Sequence, residues 1–242
     1  MINKKTALLC AALAYNTPLL HADTNKPINL GTTIKVQESL FDGGDTSFWV
    51  RPARLNQDGF YLEGAVLPFQ AGPAHTLYVG VGFDDWNYKR NDSEVLKDMD
   101  DLDRAINLRA GGALKLPSAV MSADLAGDVA GTHESFQAKL RYTRMLSSNT
   151  TFRPYAELQW FSADVTDYYF GVNANEVTAD RPAYEADSAL AAKVGLDLNF
   201  PLSPRWELVA GVSLTHYGSE ITDSPIVDKD QVWGAGIGLV YK

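Results

Sequence analysis

Residues 190–200, LAAKVGLDLNF, alternate strictly. Leu190, Ala192, Val194, Leu196, Leu198 and Phe200 fall on one face, and Ala191, Lys193, Gly195, Asp197 and Asn199 on the other. A period of two is the mark of a β-strand, here with one apolar and one polar face. Residues 206–215, WELVAGVSLT, repeat the pattern, with Trp206, Leu208, Ala210, Val212 and Leu214 opposing Glu207, Val209, Gly211, Ser213 and Thr215. So do residues 233–241, WGAGIGLVY, where Trp233, Ala235, Ile237, Leu239 and Tyr241 oppose Gly234, Gly236, Gly238 and Val240.

Working outward, 106–116, 121–128, 136–143 and 152–160 show the same habit less cleanly, and 48–55, 60–67 and 76–83 also read as strands. Alternation alone is shared with soluble sandwiches; the connections separate the two. Pro117-Ser118, 147–149 and 202–204 are tight turns, whereas 84–104, 162–187 and 218–230 are long and polar. Short turns at one end and long loops at the other belong to outer-membrane barrels, and compact soluble domains rarely carry structureless loops of about 20 residues. Trp160, Phe161 and Trp233 fall at the long-loop ends of strands, and Phe200, Trp206 and Tyr241 near the short-turn ends. Aromatic rings prefer the headgroup level of a membrane.

These features predict an all-β fold, an antiparallel transmembrane β-barrel with short periplasmic turns and long extracellular loops, placed in the cell outer membrane. Lys115, Asp124, Arg141, Glu157, Lys193, Asp197 and Glu207 would face the lumen, with Gly211, Gly234, Gly236 and Gly238 leaving some room there. About ten spanning strands fit the pattern if 28–40 is not one of them, and twelve are possible.

The chain start reads as an export signal of residues 1–22, leaving 23–242 as the barrel. Lys4 and Lys5 precede an apolar run from Thr6 to Tyr15, and Leu20-His21-Ala22 offers a cleavage site. The single cysteine, Cys10, lies inside that signal, so the exported protein would hold no disulfide and no thiolate site. The formal net charge is -9, which argues against a nucleic-acid partner. No later segment approaches the roughly 18 apolar residues of a membrane helix.

Catalytic and metal signals are weak. His133-Glu134-Ser135 and His216-Tyr217-Gly218-Ser219 each place a histidine near a serine, but a base must meet its nucleophile in space, not along the chain; His75 has no such neighbour. Asp98, Asp100, Asp101 and Asp103 have the chemistry for Ca²⁺ or Mg²⁺, or for bridging through divalent ions to lipopolysaccharide phosphates, yet lack the glycine and terminal glutamate of an EF-hand loop and read as a solvated loop. No cofactor motif is present. In loop 162–187 the aromatics Tyr168, Tyr169 and Phe170 have three outcomes: plugging the barrel, meeting a partner, or packing on the loop's own Tyr184.

Four patches resemble the MipA/OmpV family of outer-membrane proteins. Tyr168-Tyr169-Phe170-Gly171-Val172 resembles its Tyr-Phe-Gly-Val signature, Pro182-Ala183-Tyr184 its Pro-Ala-Tyr element, and Asp223-Ser224-Pro225-Ile226-Val227 the stretch before the last strand. Phe41-Asp42-Gly43-Gly44 is a looser match. Arg181 departs from the pattern, and Lys242 stands where barrels usually end in an aromatic residue, leaving Tyr241 displaced by one.

The resemblance implies a non-enzymatic scaffold that holds a lytic murein transglycosylase and a penicillin-binding protein at the outer membrane, surrounded by outer-membrane lipid and lipopolysaccharide. The periplasmic turns and the segment 23–45 would make the contacts. The alternatives are a narrow pore or uptake barrel for small solutes, and a surface adhesin.

Overall fold

The computed structural model describes residues 29–55, 65–84, 93–147 and 151–241. The expected signal 1–22, most of the expected strand 60–67, most of the turn 147–149 and Lys242 lie outside them.

The sheet has twelve strands: β1 Asn29–Gln37, β2 Ser47–Leu55, β3 Ala65–Gln70, β4 His75–Phe83, β5 Ile106–Leu116, β6 Ala119–Asp128, β7 Phe136–Arg144, the two-residue β8 Leu146–Ser147, β9 Thr151–Phe161, β10 Ala189–Pro201, β11 Trp206–Tyr217 and β12 Gln231–Tyr241. Two helices interrupt the long connections, α1 Ala163–Phe170 and α2 Ser219–Thr222. The strand order is β2-β1-β12-β11-β10-β9-β7-β6-β5-β4-β3, with β8 beside β9 off this path, and all pairings are antiparallel. Eleven strands lie on the hydrogen-bonded path among the described residues, one more than the ten expected without 28–40, because 29–37 is a strand that joins the last strand, Leu30 opposite Tyr241.

The wall is inside-out relative to a soluble protein. Leu190, Val194, Leu158 and Ile237 are each more than half exposed, while Asp124, Arg153, Glu157 and Glu207 are buried. Period-two alternation puts every second side chain outside, and in water so much apolar surface would be a large liability. In a bilayer it is the required surface, and the antiparallel ladder satisfies the backbone groups that lipid cannot. The fold is therefore an antiparallel transmembrane β-barrel. No helix among the described residues is long and apolar enough to cross a membrane.

Aromatic side chains ring both ends of the wall. Phe83, Phe136 and Trp233 lie outside at the long-loop end, with Trp160 tilted on Phe136; Phe152, Phe200, Trp206 and Tyr241 lie outside at the short-turn end, the last two edge to face. Phe161 is a correction. Its position in β9 has inward parity, so it is buried at the mouth instead of meeting lipid.

Inside, two tyrosines lie over glycines directly across the ladder, Tyr78 on Gly111 and Tyr155 on Gly195. A Cβ on Gly111 would come within 2.4 Å of the Tyr78 hydroxyl, so the ring occupies the space the glycine leaves. The glycines of β12 likewise leave less open lumen than expected. Gly236 and Gly238 sit under the side chains of Lys35 and Thr33 of β1.

The connections 38–46, 84–105, 129–135, 162–188 and 218–230 all leave the same end of the barrel, and the short turns leave the other. Of the segment 23–45 expected to make periplasmic contacts, residues 38–45 lie instead at the long-loop end. Once Asn29–Gln37 crosses the membrane, Leu40 and Phe41 arrive at the long-loop end, opposite the short turns.

Candidate functional site

Four of the long connections fold together into a cap. Its apolar core takes Leu40 and Phe41 from the first, Leu96 and Met99 from the second, Val165, Tyr169, Phe170 and Val172 from the α1 connection, and Ile221 and Ile226 from the last. The tops of four strands complete it through Phe161, Ala189, Ala191, Tyr217 and Val232. Helix α1 begins after an extended Ser162 with Asp164 in its first turn, a favourable charge at a helix N-terminus. It ends at Gly171, where a Cβ would meet the Asp167 carbonyl at 2.4 Å.

The family-like patches, far apart in sequence, meet in this cap. Val172 and Tyr184 form an antiparallel bridge. The buried hydroxyl of Ser224 donates to the Phe170 carbonyl at 2.6 Å. The Phe170 ring stacks on Phe41 with centroids 5.7 Å apart, and Phe41 bridges Val227. The Tyr184 hydroxyl donates to the Glu220 carbonyl, and burial, with Glu220 and Asp223 nearby, raises its pKa. Pro182, Ala183 and Asp223 are exposed and Pro225 half-buried. Of the three outcomes open for the aromatic cluster, the structure shows inward folding, with Tyr184 packed against the same core.

Arg181, the departure from the family pattern, is buried. Its guanidinium donates to the carbonyls of Glu176, Val95 and Lys97, tying the second connection to the α1 connection. Buried Glu176 makes the same join, accepting from the Asp100 and Asn173 backbone N–H groups. Asp98, Asp100, Asp101 and Asp103 are all exposed, and among the described residues no group of three or more His, Cys, Asp or Glu is placed to hold a metal ion.

Beneath the cap lies a buried carboxylate that the sequence did not single out. Asp84, just after β4, accepts from Tyr169 Oη at 2.7 Å, Gln137 Nε2 at 2.7 Å, His133 Nε2 at 3.1 Å and Asn107 Nδ2. The Ser135 backbone N–H donates to His133 Nδ1, so that nitrogen carries no proton and Nε2–H faces Asp84. Burial, reinforced by the charge of Asp84, pushes the Tyr169 phenol well above the ordinary tyrosine value. Tyr169 thus spans from the β9–β10 connection to β4, four places along the strand order.

The same contacts settle where the candidate triads stand. The Ser135 hydroxyl lies 2.6 Å from that of Ser162, and only the Ser135 backbone meets the His133 ring, which is shut off from solvent. His216 is exposed on β11 beside Asp230, not beside Ser219. Neither pair forms a nucleophile–base contact.

Below the Asp84 cluster runs a polar lumen with a cavity of about 330 Å³. Arg109 pairs with Asp124 at 2.7 Å, and the Tyr78 hydroxyl donates to the same carboxylate. Arg141 pairs with Asp197 at 2.7 Å and stacks on the Tyr155 ring. Asn199 joins Arg153 to Glu207. Lys115 shares this inward parity, opposite the cavity-lining Val120, and is exposed at the short-turn end of β5.

The family model described as MltA-interacting protein MipA matches residues 30–242. The chain belongs to the MipA family. It is 28% identical over 155 residues to the outer membrane proteins Omp26La of Vibrio anguillarum and OmpV of Vibrio cholerae, covering 64% of this chain and 60% of each of theirs. It is 22% identical to the MltA-interacting protein of Escherichia coli over 249 residues, the full length of both. Like Omp26La and OmpV it is an outer-membrane protein, and Phe41, Tyr169, Phe170, Val172 and Ile226 of its family-like patches lie in the core of the cap.

Proposed function

We propose that this MipA-family barrel is a non-enzymatic scaffold that holds murein-remodelling enzymes, a lytic transglycosylase and a penicillin-binding protein, at the outer membrane. The observation that carries the reading is the cap. Four connections sharing one apolar core cover the outer mouth, which suits a rigid closed body better than an open channel and leaves the short turns as the face toward the murein. The full-length match to a relative named for its interaction with a transglycosylase supports the partner class. The test is photo-cross-linking in intact cells from Ser118 and Ser203 on the short turns, with exposed Ala174 as the outer control. Recovery of a transglycosylase or penicillin-binding protein from the turns alone is expected. Recovery of assembly machinery and lipopolysaccharide alone would sink the scaffold.

The lumen cavity favours a second reading, a narrow uptake barrel. That reading requires discrete conductance steps in a planar bilayer, at least after the cap is loosened.

A further inference from the structure

The outer surface changes from acidic to apolar over a few residues at the start of β5. Asp101 and Asp103 are exposed, and Ile106 already faces outward as the first residue of the strand. Arg104 stands between them. It is exposed, and its guanidinium lies over the ring of Phe83, 5.1 Å from the centroid. Phe83 pairs with Ile106 in the last rung of the β4–β5 ladder and is more than half exposed on the outward face, at the level of the aromatic girdle. The stacked guanidinium is therefore held on the outside of the barrel, where the wall meets the headgroups of the outer leaflet.

The other cations described on the long connections are engaged. Lys97 pairs with Glu94 at 3.3 Å and Lys229 with Glu38 at 3.2 Å, and the buried Arg181 is held by carbonyls. Among the described residues of these connections, Arg104 is the one cation with neither a carboxylate nor a carbonyl partner; its contact is the Phe83 ring. Stacking uses the flat face of a guanidinium and restrains it, leaving the N–H donors along its edge free. That planar fork fits the oxygens of a phosphate. Directly along the wall, Val81, Ile106 and Leu108 continue the outward apolar surface from Phe83, with Val81 opposite Leu108 in the ladder. A cation at the head of an apolar strip matches a phosphate carried on acyl chains. The exposed Asp98, Asp100, Asp101 and Asp103 of the same connection repel an anion arriving from water, whereas a phosphate anchored in the bilayer arrives from the lipid side.

We propose that Arg104 and Phe83 form a binding site for the phosphate of an outer-leaflet lipid, the phosphorylated glycolipid of lipopolysaccharide, whose acyl chains lie along Val81 and Leu108. The site is at the opposite end from the short turns and does not rest on the scaffold reading.

The test is native mass spectrometry of the full exported barrel in detergent, titrated with bisphosphorylated lipid A and, separately, with diacylglycerol as the uncharged lipid. A chelator is present throughout, so that the acidic residues cannot hold the lipid through divalent ions. Saturable retention of lipid A, well above that of diacylglycerol, is expected. Arg104→Gln should weaken it by about fivefold or more, through loss of the charge-assisted bonds to phosphate. Phe83→Leu, which removes the ring but keeps an apolar surface, should weaken it as well. Lys97→Gln, whose cation is already paired, should leave it unchanged, and excess inorganic phosphate should not displace the lipid. Heat-modifiable gel mobility confirms that each variant is folded. Equal retention of diacylglycerol, unchanged affinity in folded Arg104→Gln or Phe83→Leu, an equal loss in Lys97→Gln, or displacement by inorganic phosphate would overturn the proposal.

Discussion

The hydroxyl of Ser224 and the carbonyl of Phe170, 54 residues apart in the chain, meet across 2.6 Å in a buried hydrogen bond that fastens α1 to the last long connection. Replacing Ser224 with Ala leaves the Phe170 carbonyl buried without that donor, at a cost of about 1–3 kcal/mol. The penalty falls on the cap, because the wall has its own ladder of hydrogen bonds. Limited proteolysis should cut loop 162–188 of Ser224→Ala faster than wild type, while the barrel keeps its heat-modifiable mobility. Equal cutting rates would remove this bond from the account of the cap.

The Tyr169–Asp84 contact makes the cap sensitive to alkali. The folded phenol holds its proton more tightly than the unfolded one, because burial and the charge of Asp84 disfavour the phenolate. Its contribution is therefore complete below pH about 10, the ordinary tyrosine value, and is lost as pH rises above it. Hydrogen exchange in 163–170 should accelerate between neutral and strongly alkaline pH, and Tyr169→Phe should flatten that rise while raising exchange at neutral pH.

Glycines under tyrosines predict steric failures inside the wall. An alanine Cβ at 195 would lie 2.4 Å from the Tyr155 ring, and one at 111 would lie 2.4 Å from both the Tyr78 hydroxyl and the Ala123 carbonyl. Overpacking of this kind costs about 1–3 kcal/mol. Gly111→Ala should lose more than Gly195→Ala in urea-induced unfolding from vesicles, since a backbone carbonyl yields less readily than a ring.

A charge placed on the outer face tests which side meets lipid. Val194 is exposed at mid-strand of β10. Val194→Arg should cost about 2–4 kcal/mol of folding into vesicles, the range for a basic residue near the midplane. The inward neighbour change Gly195→Ser would act through Tyr155 contact instead. A tolerated Val194→Arg would mean that this face is wet.

The wall was legible in the sequence because period two survives wherever one face is lipid and the other a lumen. LAAKVGLDLNF places six apolar residues on one face and only Ala191 on the other, and the paired strand positions agree with it. The cap was not legible. Helix α1 runs through Thr166, Tyr168, Tyr169 and Phe170, residues of modest helix propensity, and its N-terminal Ser162 makes no side-chain cap bond. Packing against Phe41 and the strand tops holds it, and those contacts have no local signature. Phe161 misled for a related reason: an aromatic at a strand end reads as an interface residue until its parity is known. Asp84 carried no signal at all, being one aspartate at the start of a long polar loop.

Because the cap draws its core from four separate connections, the outward-facing surface of this barrel cannot drift one loop at a time. A larger residue at Phe41 has to be matched at Phe170, and a shift of Ile226 is felt at Phe170 through Ser224. Outer-membrane loops that stand apart from one another vary freely under immune or phage pressure. Here the freedom to vary is left to exposed stretches such as 173–175 and 177–180, and the residues that form the shared core must evolve together.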